Sequence, residues 1–149
     1  MGYQSIQHTI DVHYQGVMTV YQSFQSQAQA RERFILALTA QPRMMPPVYA
    51  QLKQHIKSNR VALNPYEYVQ KNDQLTVFLN QNQSQLKLPN QDYFNQIQSQ
   101  VQAESDIFYA HAKAFNGLIS RYPYRLFSGE YGAIPLTHQS LDHLVVVVR

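Results

Sequence analysis

Apolar residues recur through the N-terminal part of the chain at alternating steps of four and three: Ile10, Tyr14, Val17, Tyr21, Phe24, Ala28, then Arg31, Ile35 and Leu38. That spacing is the a/d seam of a long, coiled-coil-like helix, and Arg31 is its one charged member. It predicts a first helix from Tyr3 to about Ala40, closed with the help of Pro42 and carrying Gly16 as a mild internal defect. A second seam runs Phe94, Ile97, Val101, Glu104, Phe108, His111, Phe115, Leu118 and Tyr122, again in threes and fours. At ~1.5 Å per residue each seam is roughly 40 Å long, and two matched seams call for an antiparallel pair inside a helical bundle.

Two shorter helices are predicted between them. Pro46 or Pro47 can occupy the first turn of a helix reaching about Ser58, where a missing N–H costs nothing. Its apolar face is Val48, Leu52 and Ile56. Asn64-Pro65 supplies an N-cap followed by Pro at the first helical position, opening a helix from Pro65 to about Asn80 with Tyr68, Leu75, Phe78 and Leu79 inward. Thr, Val and Phe within Leu75–Leu79 also suit a short strand. Leu86–Asn90 is a loop. The predicted fold is all-α: an elongated antiparallel bundle of about four helices, two of them long, forming one domain over residues 1–149. It ends in a short extended segment, with the β-prone run Leu144–Val148 inside a tail at 133–149.

Each seam has polar interruptions. Aligning the seam centres antiparallel sets Phe24 opposite Phe108 and brings Arg31 near Val101 to Glu104. A lone buried charge is costly, so the alignment predicts a partly buried Arg31–Glu104 pair, with His111 one heptad further on. Such a group either pins the helix register or forms a polar binding point.

Composition narrows the chemistry. Charged residues make up 14% and hydrophobic ones 44%, so the polar surface is carried largely by the 21 glutamines. Glutamine is a good helix former without charge, and stretches such as Gln22–Ala30 keep apolar residues at helical spacing, which reads as a solvent face. The net charge of +3 is spread along the chain, its densest run being Lys53, Lys57 and Arg60. This scatter argues against nucleic acid as the partner. With no cysteine in the chain, disulfides and thiolate chemistry are excluded. No segment reaches the roughly 18–20 apolar residues of a membrane span. No phosphate loop, His-Glu-x-x-His or nucleophile elbow occurs. His138, Asp142 and His143 do not follow a recognised zinc spacing, Asn82-Gln83-Ser84 is a glycosylation sequon by pattern only, and no cofactor is expected.

Phe115-Asn116 is followed by Tyr122-Pro123 and then by Leu126, Phe127, Tyr131 and Gly132. This stretch resembles the C-terminal signature of the LemA family, in which an aromatic-Asn pair in the last long helix precedes an aromatic-Pro pair and a short apolar tail. The heptad before it keeps the aromatic of the family's second pair at Phe108 but has Tyr109 in place of Asn. Leu86-Lys87 and Arg31, Phe34, Ile35 and Leu38 can be laid on two further family patterns, without the first arginine, the aspartate and the proline of the latter. The resemblance implies a long-helix bundle, and the apolar tail residues Leu126, Phe127 and Tyr131 are expected to fold back and cover its open end. It also implies membrane association through an N-terminal anchor absent from this sequence. It implies no reaction.

The functional expectation is a non-enzymatic scaffold or protein-interaction domain. Its working surface would be the glutamine-rich helix faces and the ends of the bundle, with a protein partner or a second copy bound there. The alternative is a small-ligand binder or enzyme with a site between helices, lined by tyrosines and His111.

Overall fold

The computed structural model describes residues 2–40, 47–86 and 88–121. They form four α-helices: α1 (Tyr3–Thr39), α2 (Pro47–Arg60), α3 (Pro65–Gln81) and α4 (Gln91–Ile119). Among the described residues there is no strand, and the segment Leu75–Leu79 lies within α3, where Leu75, Thr76 and Leu79 face inward. The described residues thus form an all-α bundle of two long and two short helices, as the periodicities require. The expected tail residues Leu126, Phe127 and Tyr131, the run Leu144–Val148 and the histidines near position 140 lie outside the described residues.

The chain divides into two compact units, one drawn from Met1–Gln22 and Asp106–Arg149, the other from Ser23–Ser105. In the first, α1 and α4 run antiparallel. The Tyr14 ring meets Phe115 at 5.7 Å between centroids, and Tyr21 meets Phe108 at 6.0 Å. Ile6, Ile10, Val17, Ala112, Leu118 and Ile119 are buried there.

All four helices contribute to the second unit. Ile35 and Leu38 of α1, Val48, Tyr49, Leu52 and Ile56 of α2, Leu75 and Leu79 of α3, and Phe94 of α4 share one apolar core. Leu86, from the α3–α4 connection, closes it. Phe34 packs on Phe94 at 5.3 Å, so α1 and α4 are antiparallel here as well. Asn90 opens α4 from the left-handed region (φ 53°), a conformation asparagine tolerates well.

The α1 seam faces inward as its spacing predicts: Ile10, Val17, Phe24, Ala28, Arg31, Ile35 and Leu38 are all buried, and Tyr14 and Tyr21 half-buried. The α4 seam needs a correction. Its buried row passes through Val101, Ser105, Phe108, Ala112 and Phe115, leaving Glu104 half-buried and His111 exposed. Both phases contain Val101, Phe108 and Phe115. A small residue one position later fills the intervening turn at less cost than a carboxylate or an imidazole. The register also differs by about one turn. Phe108 packs on Tyr21, while Phe24 meets the Tyr68 ring edge-on. The helix ends at Ile119 and not at Tyr122, so its middle lies closer to its N-terminus than the seam implied.

The expected membrane association is also corrected. Among the described residues no helix is long and apolar enough to cross a membrane. The 37 residues of α1 would suffice in length, but Asp11, Arg31, Glu32, Arg33 and the glutamines make the helix too polar.

The start of α3 follows its sequence signal closely. Asn64 is the N-cap, its Oδ1 accepting the Glu67 N–H at 2.8 Å, and the Glu67 carboxylate reaches back to accept the Leu63 N–H at 3.2 Å. Two otherwise orphaned donors are satisfied reciprocally. The Lys71 ammonium lies 3.0 Å from the same carboxylate, which is held below the usual carboxylate range first by that bond and then by the Leu63 amide.

Asn64→Ala is expected to lower stability by ~1 kcal/mol in urea unfolding, and Asn64→Asp to stay near wild type. The depressed Glu67 pKa has a definite sign. Its contribution is present above the unfolded-state pKa and is lost as pH falls through the folded value. The protection factor of the Leu63 amide, measured by NMR exchange relative to the intrinsic rate at each pH, should therefore fall at acid pH, and Glu67→Gln should remove most of that pH dependence. At Gly16 of α1 an added Cβ would lie an ordinary 3.9 Å from His111 Nδ1. Gly16→Ala should accordingly stabilise the chain by roughly 0.5–1 kcal/mol.

Candidate functional site

The densest convergence of polar groups in the Ser23–Ser105 unit lies around Arg31, which has no solvent-exposed surface. The α1 seam drives this residue inward because Ala28 and Ile35 on either side of it are core positions. Nη1 donates to Thr76 Oγ1 and to Gln98 Oε1, both at 2.6 Å, and Nη2 donates to the Asn72 carbonyl at 3.0 Å. A longer contact of 3.4 Å runs from Nη2 to Asn72 Oδ1. That same oxygen accepts from Asn59 Nδ2 at 3.1 Å. One guanidinium therefore ties α1 to α3 and α4 directly, and to α2 through the Asn72 and Asn59 amides.

The remaining bonds hold the acceptors in place. Asn72 Nδ2 donates to the Tyr68 carbonyl at 2.8 Å, and the Thr76 hydroxyl lies 3.1 Å from the Asn72 carbonyl. Ser105 Oγ donates to Asp73 Oδ1 at 2.8 Å, bringing a carboxylate to the edge of the cluster. Arg31 Nε and Asn59 Oδ1 are buried without a hydrogen-bond partner among the described residues.

The expected Arg31–Glu104 pair is not formed. The hydrogen-bond partners of Arg31 among the described residues are neutral, and Asp73 and Tyr68 act on it electrostatically. Burial lowers the Arg31 pKa to about 10, with Asp73 and Tyr68 opposing the shift. The charge is retained at neutral pH, since about 10 lies well above 7. The unfolded chain nevertheless holds that proton more tightly, so stability should rise only as pH passes from the folded value toward the unfolded one. Across neutral pH the buried charge is a constant cost that the hydrogen bonds must offset. Arginine suits this position, being the more weakly hydrated of the two basic side chains and presenting its donors in a fixed plane.

The α3 partners Asn72 and Thr76 carry no charge that would mark them in the sequence as answering Arg31. They had a signal nonetheless. Between Val69 and Leu79 the inward row of α3 is interrupted at 72 and 76, the polar complement of the interruption at 31. Gln98 had no comparable signal, since it flanks the seam residue Ile97 and resembles the other surface glutamines.

Where the structure describes the tyrosines expected to line a site with His111, they are engaged in ring packing. Tyr14 and Tyr21 pack on Phe115 and Phe108, while the exposed His111 ring lies beside Gly16. A shallow open groove on α2 and α3 is lined by Gln51, Gln54, His55, Ser58, Gln74 and Phe78. His55 stacks on Phe78 at 4.8 Å, and its partial burial lowers its pKa. Among the described residues no three His, Asp or Glu side chains stand together as metal ligands.

Arg31→Ala should cost about 3–5 kcal/mol, because it strands Asn72 and Thr76 in the core. Glu104→Ala should fall within about 0.5 kcal/mol of wild type, as expected of a residue outside the cluster. Paired urea titrations of the two variants separate this arrangement from an Arg31–Glu104 salt bridge.

Comparison of the chain with protein-family models, with curated proteins and with solved structures finds no match.

Proposed function

We propose that this chain is a non-enzymatic helical interaction domain, a scaffold whose helices are held in register by Arg31 and whose work is done by its surface. What supports the reading is the closure of the Arg31 cluster. A ligand or substrate site needs convergent polar groups that a small molecule can reach. Here the strongest donor is fully buried, and both of its terminal nitrogens bond to the protein itself. The groove on α2 and α3 is shallow and glutamine-lined, without a charged group among its lining residues.

A distant kinship with the LemA family is part of the proposal. It rests on Phe115-Asn116 and on the Tyr-Pro and Tyr-Gly steps that follow in sequence. Both residues of that pair are buried, which gives a packing reason for an aromatic-Asn motif on this helix.

Thermal unfolding tests the proposal against its alternative. A ligand present at 100 times its Kd stabilises a fold by ~2.7 kcal/mol, a shift of several degrees in Tm. Phosphate, sulfate, dicarboxylates and nucleotides at millimolar concentration are expected to leave Tm unchanged. A saturable rise in Tm with any of these ligands would show a small-ligand binder and overturn the proposal.

A further inference from the structure

The turn between α2 and α3 exposes two aliphatic side chains, Val61 at 66% and Leu63 at 87%. Single exposed apolar residues are ordinary. These two differ in the backbone that carries them. The Val61 N–H donates to the Ser58 carbonyl and the Ala62 N–H to the Asn59 carbonyl, both at 3.3 Å, while the Leu63 N–H is taken by Glu67. Lys71, already paired with Glu67, also donates to the Ser58 carbonyl at 3.1 Å and so joins the end of α2 to the start of α3. Beneath the turn, buried Asn59 is bonded to Asn72 of the Arg31 cluster.

Leu63 stands immediately before the Asn64 N-cap. An apolar residue there ordinarily packs against the fourth helical residue, here Tyr68, and is covered by it. Leu63 keeps most of its surface in solvent instead, although the rest of the capping arrangement is complete. The charges beside the turn are uneven. Arg60 is paired with Glu32 and Lys71 with Glu67. Lys53 and Lys57, one turn apart on α2, are exposed and make no ion pair among the described residues. The sequence places Lys57 one helical turn before Val61.

We infer that Val61 and Leu63 form a preordered apolar knob that docks into an apolar pocket on a partner protein, a pocket whose rim carries carboxylates facing Lys53 and Lys57. The inference rests on the interaction-domain reading above and assigns its surface. Because the turn is already hydrogen-bonded, docking requires little ordering of the backbone, and most of the gain from burying two aliphatic side chains is kept. The lysines supply steering and choice of partner.

The absence of cysteine allows a direct test. Leu63→Cys carrying a benzophenone maleimide would be irradiated in extract of cells producing the full chain, alongside Asp11→Cys as a control. One predominant protein adduct is expected at Leu63→Cys and not at the control. Against that protein, once purified, Leu63→Asp should weaken binding at least tenfold, and Lys53→Glu and Lys57→Glu several-fold each. Wild-type affinity should fall as salt rises. The Tm of Leu63→Asp should match wild type, so its effect cannot be ascribed to unfolding.

The assignment is overturned by equal labelling at both positions, by no adduct at all, or by a partner whose affinity ignores Leu63→Asp. It is overturned equally by an adduct to a second copy of the chain or by cosedimentation with anionic vesicles that Leu63→Asp abolishes. A partner that binds wild type and Leu63→Asp alike would remove the knob and leave the interaction domain standing. The interaction reading itself falls by the ligand-dependent melt described above.

Discussion

A positive charge in an apolar core is the constraint on which the Ser23–Ser105 unit depends. Arg31 arrives there because its helix has no choice of face. Ala28 and Ile35, three and four positions away, and Phe24, seven positions away, share its face, and any rotation that exposed the arginine would expose them too. The desolvation cost is offset by fixed acceptors on two other helices, with a third helix attached through paired amides. The arrangement tolerates little sliding. A shift of α1 by one residue would move the guanidinium about 1.5 Å along the axis and away from acceptors that bond it at 2.6–3.0 Å. The cluster therefore acts against alternative registers in a way that apolar packing among aliphatic side chains cannot.

The same cluster reaches toward the surface by a short path. Asn59 belongs to the last turn of α2, and the carbonyls of Ser58 and Asn59 accept the bonds that form the following turn. The Asn64–Glu67 cap and Lys71 complete that turn from the side of α3. A rigid exposed turn is thus a by-product of how the bundle satisfies its internal polar groups. The glutamine faces contribute solubility and helix propensity, and carry almost no charge that could disturb the electrostatics of the core.

The helices were legible because each has a local signal: the four-three spacing of α1, the prolines that open α2 and α3, and the Asn64 cap. Arg31 was legible as a polar seam member for the same reason. Its partners were not, because a buried arginine need not be answered by a carboxylate. A hydroxyl, an amide and a backbone carbonyl can supply the acceptors, and carbonyls leave no trace in sequence. The phase of α4 is ambiguous in the sequence where the pattern is weakest. At Glu104-Ser105 and His111-Ala112 the sequence offers a small residue beside a polar one, and only the packing of Phe108 and Phe115 decides which turns inward. The likeness to a membrane-associated family led away from the helices as they stand, whose polarity excludes them as spans.

Arg31 is charged, sealed from water and bonded through both terminal nitrogens. NMR of the guanidinium measures this directly. Resolved, exchange-protected Nη protons are expected near neutral pH, with cross-peaks to the Thr76, Gln98 and Asn72 side chains. A single averaged Nη signal exchanging rapidly with solvent would place the arginine in water and contradict the account.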